Sequence, residues 1–562
     1  MVRHLITSAL PYINGDKHLG NLVGSMLPAD VYARFLRASG REVLFICATD
    51  EHGTPAELAA AEAGLDVAEF CRRQHDVLAD VTSRFELSFD HFGRSSSPQN
   101  RELTQQFARQ LDAAGYIEER VTSQLFSIAD DRFLPDRYVV GTCPHCGYPR
   151  ARGDQCENCT RVLQPTDLIE PRSAISGSTD LEVRESRHLF LLQSKLVDEV
   201  RPWLEAKTDW PVLSRSIGLK WLDEGLQDRA ITRDLKWGVP VDRPGFEDKV
   251  FYVWFDAPIE YLGATWEWAE AHGDAAAWEG WWRNADDVRY TQFMAKDNVP
   301  FHAIMFPATV IGTGEPWKLV DYLKGFNWLL YEGGKFSTTD RIGVSMTDAL
   351  DLLPADYWRY FLIANAPESD DANFSWDSFA GTINKDLAGT LGNFVNRTLS
   401  FSSRHFDLLV PDGGEHGEIE AELQRDLDAG IARYTAELEA MEYRKAMREL
   451  KALWTIGNVY LERTEPWKSA KTDLVATAQT LRTAMNLAVL FARLSVPVIP
   501  ISAARILDAM AVPADQRHWP TTAELDLLVP GSSYVIPELL FRKISAEDVE
   551  EWRTTFGGAP AA

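Results

Sequence analysis

The sequence predicts an α/β, parallel-sheet core that carries a small cysteine-rich insertion and is followed by an α-helical bundle. Three observations lead there: a strand–helix–strand pattern in the first fifty residues, two cysteine pairs near residue 150, and a change to helical periodicity from about Thr382. At roughly 150 residues per domain, a chain of 562 residues calls for three or four domains. With 45% hydrophobic and 25% charged residues, it reads as soluble and globular. No stretch approaches the roughly 18 uninterrupted apolar residues of a membrane span, and the N-terminus turns polar too early for a signal peptide. A cytoplasmic protein with no membrane partner is expected. The net charge of −26 argues against a broadly basic nucleic-acid surface, but it leaves room for a local basic strip.

"RHLITSAL" is a β-branched and apolar run that ends at Pro11, hence a buried strand. In the segment that follows, Leu22, Met26, Ala29, Ala33 and Leu36 recur at helical spacing, and Gly40 stands where a helix should stop. "REVLFICATDEHGTP" gives a second strand, Val43 to Cys47, leading into Asp50, Glu51 and His52. Ligands of such βαβ units gather at the carboxyl ends of the strands, where Pro11, Tyr12, His18 and Asp50 fall. His18-Leu19-Gly20-Asn21 opens the helix, whose free N–H groups favour an anion; the plainer reading makes His18 a surface residue near a helix start. There is no G-x-x-x-x-G-K-[ST], and "GTGEPW" at Gly312 is not a dinucleotide fingerprint.

"CPHCGYPRARGDQCENC" places Cys143, Cys146, Cys156 and Cys159 as C-x2-C-x9-C-x2-C. Two such turns aim four thiolates at one point and predict zinc. Four thiolates leave no open position, so the metal is expected to be structural. Two disulfides would be the alternative, in an oxidising compartment. Cys47 and Cys71 sit among apolar residues and are expected to be buried thiols.

"GGKFSTTD", from Gly333, reads on its own more readily as a polar turn than as a phosphate-gripping loop, since Gly, Ser, Thr and Asp are ordinary turn residues. Beyond Thr382, Leu387, Leu391, Phe394, Val395 and Leu399 share one helical face. Met447, Leu450, Trp454 and Tyr460 continue the pattern, and "LRTAMNLAVLFARL" adds a third apolar helix. After about Pro530 a short apolar strand, an acidic helix and a disordered final "GGAPAA" are expected.

Taken in order, these segments resemble the class I aminoacyl-tRNA synthetases, and within them the methionyl family. "SALPYINGDKHLGNLVGSMLPADVYARFLRASGREVLFICATDEHGTP" is similar to that family's opening segment, with His18-Leu19-Gly20-Asn21 at the HIGH signature and Asn21 where many members carry a second histidine. "YVWFDAPIEYLG" and "AKDNVPFHAIMFPA" resemble its methionine-site segments, and "KFSTT" stands at KMSKS, with Thr338 in place of the second lysine. The similarity runs from residue 2 to about 500.

The resemblance implies a Rossmann-like catalytic core with a zinc-knuckle insertion and an α-helical anticodon-binding bundle. The boundaries are 1–116 and 231–380 for the core, 117–230 for the insertion (knuckle 143–159), 335–339 for the KMSKS-like loop, 381–530 for the bundle and 531–562 for a tail. It implies ligation of L-methionine to initiator and elongator tRNA(Met) through methionyl-adenylate, by a monomer using ATP with Mg²⁺ and one structural Zn²⁺. His18, Asn21, Lys335, Ser337 and Thr338 would be catalytic. His18, Gly20, Asn21, Lys296, Lys335 and Thr338 would bind ATP, although Lys296 also reads as a surface lysine. Leu10, Tyr12, Asp50, Trp254, Ala257, Pro258, Tyr261, Asn298 and His302 would hold methionine; without the resemblance, Trp254 and Tyr261 would read as core packing. Trp467 and Arg397 would meet the anticodon. Two other readings stand beside this one. One is a paralogue that activates methionine or an analogue for another acceptor, or confers inhibitor resistance. The other is a non-catalytic tRNA-binding protein.

Overall fold

The computed structural model describes residues 2–153, 156, 158–159, 161, 163–336 and 342–557. Its central sheet has five strands: β1 (Arg3–Ser8), β2 (Val43–Thr49), β3 (His91–Arg94), β4 (Val288–Ala295) and β5 (Tyr322–Phe326). All pair in parallel, in the order β5-β4-β1-β2-β3. Leu5 stands between Leu44 of β2 and Tyr290 of β4. A parallel sheet is covered on both faces, which is why β1, β2 and β5 are buried almost end to end rather than on alternate residues.

The helical run after β1 begins at Leu19, passes through a wider π-helical turn at Leu22–Met26 and continues as an α-helix over Leu27–Ala38. All five positions read as its apolar face are buried. Gly40, at φ +73°, donates its N–H to Arg37 O and lets the chain turn into β2. The run after β4 repeats the device, with a π-helical turn at Phe301–Met305 followed by the helix Phe306–Gly312. In both, a proline (Pro28 or Pro307) enters the α-helix within its first two positions. Proline has no N–H to give and crowds the preceding turn, and the wider turn ahead of it relieves that conflict.

Residues 117–230 build sheets of their own. Ile117–Ser127 and Leu181–Leu191 form an eleven-residue antiparallel ladder. Val139–Thr142, Ala151–Arg152 and Ile169–Ser173 form a second sheet beside the cysteines. Leu125, Leu134, Tyr138, Val139 and Leu163 give this part a separate small core.

The bundle comprises Asn393–Phe406, Glu418–Glu439, Tyr443–Thr464 and Leu474–Ser495. Every apolar position assigned to its interior from the sequence is buried. By length and hydropathy Leu474–Ser495 could cross a membrane, but 72% of its apolar window is buried inside the fold, as a bundle's central helix should be.

The tail departs from expectation. Among the described residues no strand forms after Pro530: Val535 and Leu539 are exposed, and Pro537 interrupts any ladder. Tyr534 instead donates its hydroxyl to Leu399 O at 3.1 Å. The acidic helix exists, at Ala546–Phe556, and packs back on the catalytic half, with Trp552 5.1 Å from the Trp376 ring. Gly557, expected to be disordered, bridges to Ile342, while Gly558 to Ala562 lie outside the described residues.

Candidate active site

In a doubly wound sheet the ligand crevice lies outside the carboxyl ends of the strands where the order reverses. Here that point is between β1 and β4. A cleft of about 460 Å³ opens there, walled by the segment after β1, the segment after β4 and the stretch up to Phe336. Tyr12, His18, Gly20, Asn21, Asn298 and Lys335 line it.

His18 caps the helical run that it precedes. Its Nδ1 accepts the Gly20 N–H at 3.1 Å, and its own N–H donates to Asn21 Oδ1 at 3.1 Å. A ring nitrogen that accepts is unprotonated, so the neutral imidazole carries its proton on Nε2. Burial pushes the His18 pKa down to about 4, and the neighbouring Lys17 charge adds to the effect. At neutral pH His18 is therefore an uncharged hydrogen-bond donor. Phe336 stacks on the ring at 4.4 Å and 9°. A side chain on Gly20 would begin 2.8 Å from His18 Cε1, so only glycine leaves the imidazole in place.

Beyond Leu10 the cleft leads to a second, much smaller cavity of about 10 Å³, room for a single water. Asp50, Trp254, Ala257 and Pro258 form part of its wall; Tyr261, Asn298 and His302 complete it. Trp254 stacks on Phe301 at 3.8 Å, and Tyr12 stands edge-on to Trp254 at 6.0 Å. His302 Nδ1 donates to Asn298 O at 3.0 Å, which leaves Nε2 to accept from the Tyr261 hydroxyl at 2.9 Å. Burial holds His302 near 4, so this wall is polar at two atoms and uncharged.

Asp50 is the exception. It ends β2, is 2% exposed, and its Oδ1 has no hydrogen-bond partner among the described residues. Burial raises its pKa well above the usual carboxylate range, and nearby Asp256 adds to the shift. Asp256 is itself fully buried, held by His52 Nδ1 at 2.7 Å, with one oxygen unpartnered. A buried carboxylate without a contacting counterion is costly; the Lys17 charge eases the shift at Asp50 without pairing with it, and the open oxygen remains available to a cation.

Of the other expected residues, Lys335 lines the cleft with its ammonium 5.6 Å from the Trp328 ring. Lys296 stands outside the cleft lining, with its Nζ 2.6 Å from Asp371 Oδ1. Ser337 and Thr338 lie outside the described residues. In the bundle, Trp467 and Arg397 meet, guanidinium 5.2 Å from the ring, beside a cavity of about 230 Å³. Glu465, at φ +43°, makes the turn that presents Trp467.

The four cysteine sulfurs lie within 4.8 Å of one another, with Cys143–Cys159 at 3.9 Å and Cys146–Cys156 at 3.6 Å. Sulfurs at 2.3 Å from a tetrahedral ion stand about 3.8 Å apart, so the set fits one zinc and is too wide for disulfides. Sequence reasoning passed over Asp256, His52, Phe301 and the Phe336 stack. All four lie inside segments already singled out, but no local pattern says which side chains turn inward together.

Residues 4–399 match the family described as tRNA synthetases class I (M), and residues 410–561 match the anticodon binding domain of methionyl tRNA ligase. The chain belongs to the class I methionyl-type tRNA synthetases. A methionine–tRNA ligase of Streptomyces avermitilis is 61% identical over the whole of both chains, and one of Maricaulis maris is 58% identical over the same span. The methionyl-tRNA synthetase of Mycobacterium tuberculosis, solved with methionyl-adenylate, superposes with a TM-score of 0.78 at 27% identity, covering 96% of this chain and all of that one. The methionyl-type architecture thus extends from the parallel core through the helical domain.

Proposed function

We propose that this chain ligates L-methionine to tRNA(Met), initiator and elongator alike, through a methionyl-adenylate formed from ATP. The observation that carries the reading is Asp50: a buried carboxyl with one oxygen unpartnered and no ion pair among the described residues, lining a small aromatic cavity that adjoins the cleft of about 460 Å³. An amino acid whose ammonium meets Asp50 sends its side chain toward that cavity, whose Trp254, Tyr261 and His302 walls must part to admit more than the single water they now leave room for, and leaves its carboxylate facing the cleft. A thioether suits aromatic walls, gaining about 0.3–1.5 kcal/mol against a ring edge. Leu10, Tyr12, Trp254, Ala257, Pro258, Tyr261, Asn298 and His302 would enclose it.

The substrate carboxylate is already an anion, so adenylation needs no general base. It needs alignment and donors aimed at developing phosphate charge. His18 Nε2–H and Asn21 supply donors from one side, where Gly20 leaves room for the phosphates and its N–H holds the His18 ring, and Lys335, with Ser337 and Thr338, supplies contacts from the other. Lys296, already paired with Asp371, acts from the rim. Mg²⁺ accompanying ATP supplies further neutralisation of the phosphates. Cys143, Cys146, Cys156 and Cys159 hold one structural Zn²⁺ away from the chemistry. Trp467 stacks on an unpaired anticodon base, a contact of about 1–3 kcal/mol, with Arg397 beside it. The core comprises 1–116 and 231–380, the insertion 117–230, the bundle 381–530 and the tail the remainder, acting as a cytoplasmic monomer. The test is methionine-dependent exchange of labelled pyrophosphate into ATP, followed by tRNA charging with the same preparation. Both activities are expected. Exchange without charging would mean another acceptor, and no exchange from folded, zinc-loaded protein would overturn the reading.

A further inference from the structure

We propose that Lys17 is a catalytic residue of adenylation, its ammonium meeting the phosphates of ATP and stabilising the pyrophosphate as it leaves. The proposal rests on the adenylation reading above and assigns a role to a residue that the sequence did not single out. Lys17 lines the cleft immediately before His18, and Lys335 lines the same cleft. Its backbone is fixed, for Lys17 O accepts from Met346 N at 2.7 Å and His18 bridges to Ser345. Its side chain is not committed elsewhere: Nζ makes one hydrogen bond, to Asn14 Oδ1 at 3.1 Å, and no ion pair among the described residues. That sets it apart from Lys296, which Asp371 holds. An amine that is half-buried, weakly partnered and open to the cleft is poised for an incoming anion.

The surroundings explain why an anion is wanted. The helix Val67–Arg84 faces Lys17 with Gln74, Val77, Leu78 and Val81, and the neighbouring segment offers Met346 and Thr347, none of them charged. Asp16 and Asp50 favour the ammonium, while burial disfavours it and prevails, lowering the pKa to about 8. His18 is neutral and adds no competing charge. In the reaction a carboxylate oxygen bonds to the α-phosphorus as the bond from that phosphorus to the bridging oxygen breaks. The electron pair departs with pyrophosphate, and Lys17 stays protonated throughout. Charge-assisted bonds to phosphate are about twice as strong as neutral ones.

The experiment follows pyrophosphate exchange by wild type, K17M and K17R from pH 6.5 to 9.5, with kcat/KM for ATP and KM for methionine measured separately. Loss of a charged hydrogen bond worth about 1.5–3 kcal/mol predicts a 10- to 100-fold fall in kcat/KM for ATP in K17M, with methionine KM within threefold of wild type. Because kcat/KM reports ionisations of the free enzyme, the wild-type value should fall above about pH 8. K17R, which does not titrate there, should retain activity and extend the plateau. Equal weakening toward ATP and methionine in K17M, or an unchanged pH profile in K17R, would overturn the assignment. No exchange in the wild type would overturn the adenylation reading and Lys17's role with it, whereas exchange in wild type and K17M alike overturns Lys17 alone.

Discussion

Asp50, proposed to meet the substrate ammonium, is held at a cost to the fold. Its folded-state pKa is raised by burial and by Asp256. A carboxyl raised on folding contributes stability that is complete below its unfolded pKa and is lost as pH rises through the folded value. At neutral pH the free protein therefore bears a cost at Asp50, which the proposed substrate ammonium would relieve. Asp50→Asn should raise stability by about 1–3 kcal/mol at pH 7, the penalty of an unsatisfied buried group, and by less at acid pH. The same change should cut methionine-dependent exchange by about 30-fold or more, since an unpaired buried ammonium costs at least about 2–5 kcal/mol. Thermal melts at two pH values and exchange kinetics check both halves; a variant neither stabilised nor impaired would sink the account. Gly20 makes a second, purely steric case. The 2.8 Å approach to His18 predicts that Gly20→Ala displaces the imidazole and lowers kcat by at least about tenfold, the scale of a misplaced catalytic group, with the fold intact by circular dichroism.

At the scale of elements, the parts legible in the sequence are those whose signal is local. The β1 strand and its helix, the cysteine spacing and the apolar faces of the bundle each declare themselves within a few turns of chain. The pairing of β4 with β1 is not local, since Tyr290 meets Leu5 across some 280 residues, and without it the switch point cannot be placed. The π-helical turns before Pro28 and Pro307 were missed because periodicity assumes a constant pitch. The tail strand was wrongly expected because Tyr534, Val535 and Ile536 are β-formers, yet only Tyr534 finds a place to be buried. The cysteine module is legible and also testable. Glu57 ties the helix Thr54–Glu62 to Arg132 at 3.0 Å and to the backbone N–H groups of Lys236 and Trp237. Metal loss should therefore loosen the insertion without dismantling the sheet. Cys146→Ser should release the zinc, measured by atomic absorption, and add a low-temperature unfolding step while exchange falls less than about tenfold; zinc sites of this kind supply folding energy rather than chemistry. Loss of all exchange with the sheet still folded would contradict a purely structural metal.

For the molecule as a whole, what matters is how an anticodon reader and a chemical centre come to share one rigid frame. Arg359, fully buried, donates to Asp30 Oδ2 at 2.6 Å on the helix after β1 and to Phe85 O at 3.0 Å. The same guanidinium reaches Val498 O and Pro497 O, each at 2.9 Å, at the far end of the bundle's central helix. A second tie runs from Lys324 on β5 to Glu368 at 3.2 Å, and Glu368 accepts the N–H groups of Tyr443 and Arg444 at the start of a bundle helix. Lysine could not replace Arg359, for one ammonium has neither the reach nor the fork to serve these acceptors, Glu86 O at 3.3 Å among them, in two domains. Removing one partner of a buried pair costs about 3–5 kcal/mol, and here it also frees two carbonyls of the bundle. Arg359→Met should lower the stability of the whole by that amount and split calorimetric unfolding into two transitions, because the coupling between domains is what is lost. Exchange, which needs only the core, should remain within about threefold of wild type at low temperature, and tRNA charging should fall further. A single undivided transition with charging and exchange reduced together would show that the two domains communicate by another route.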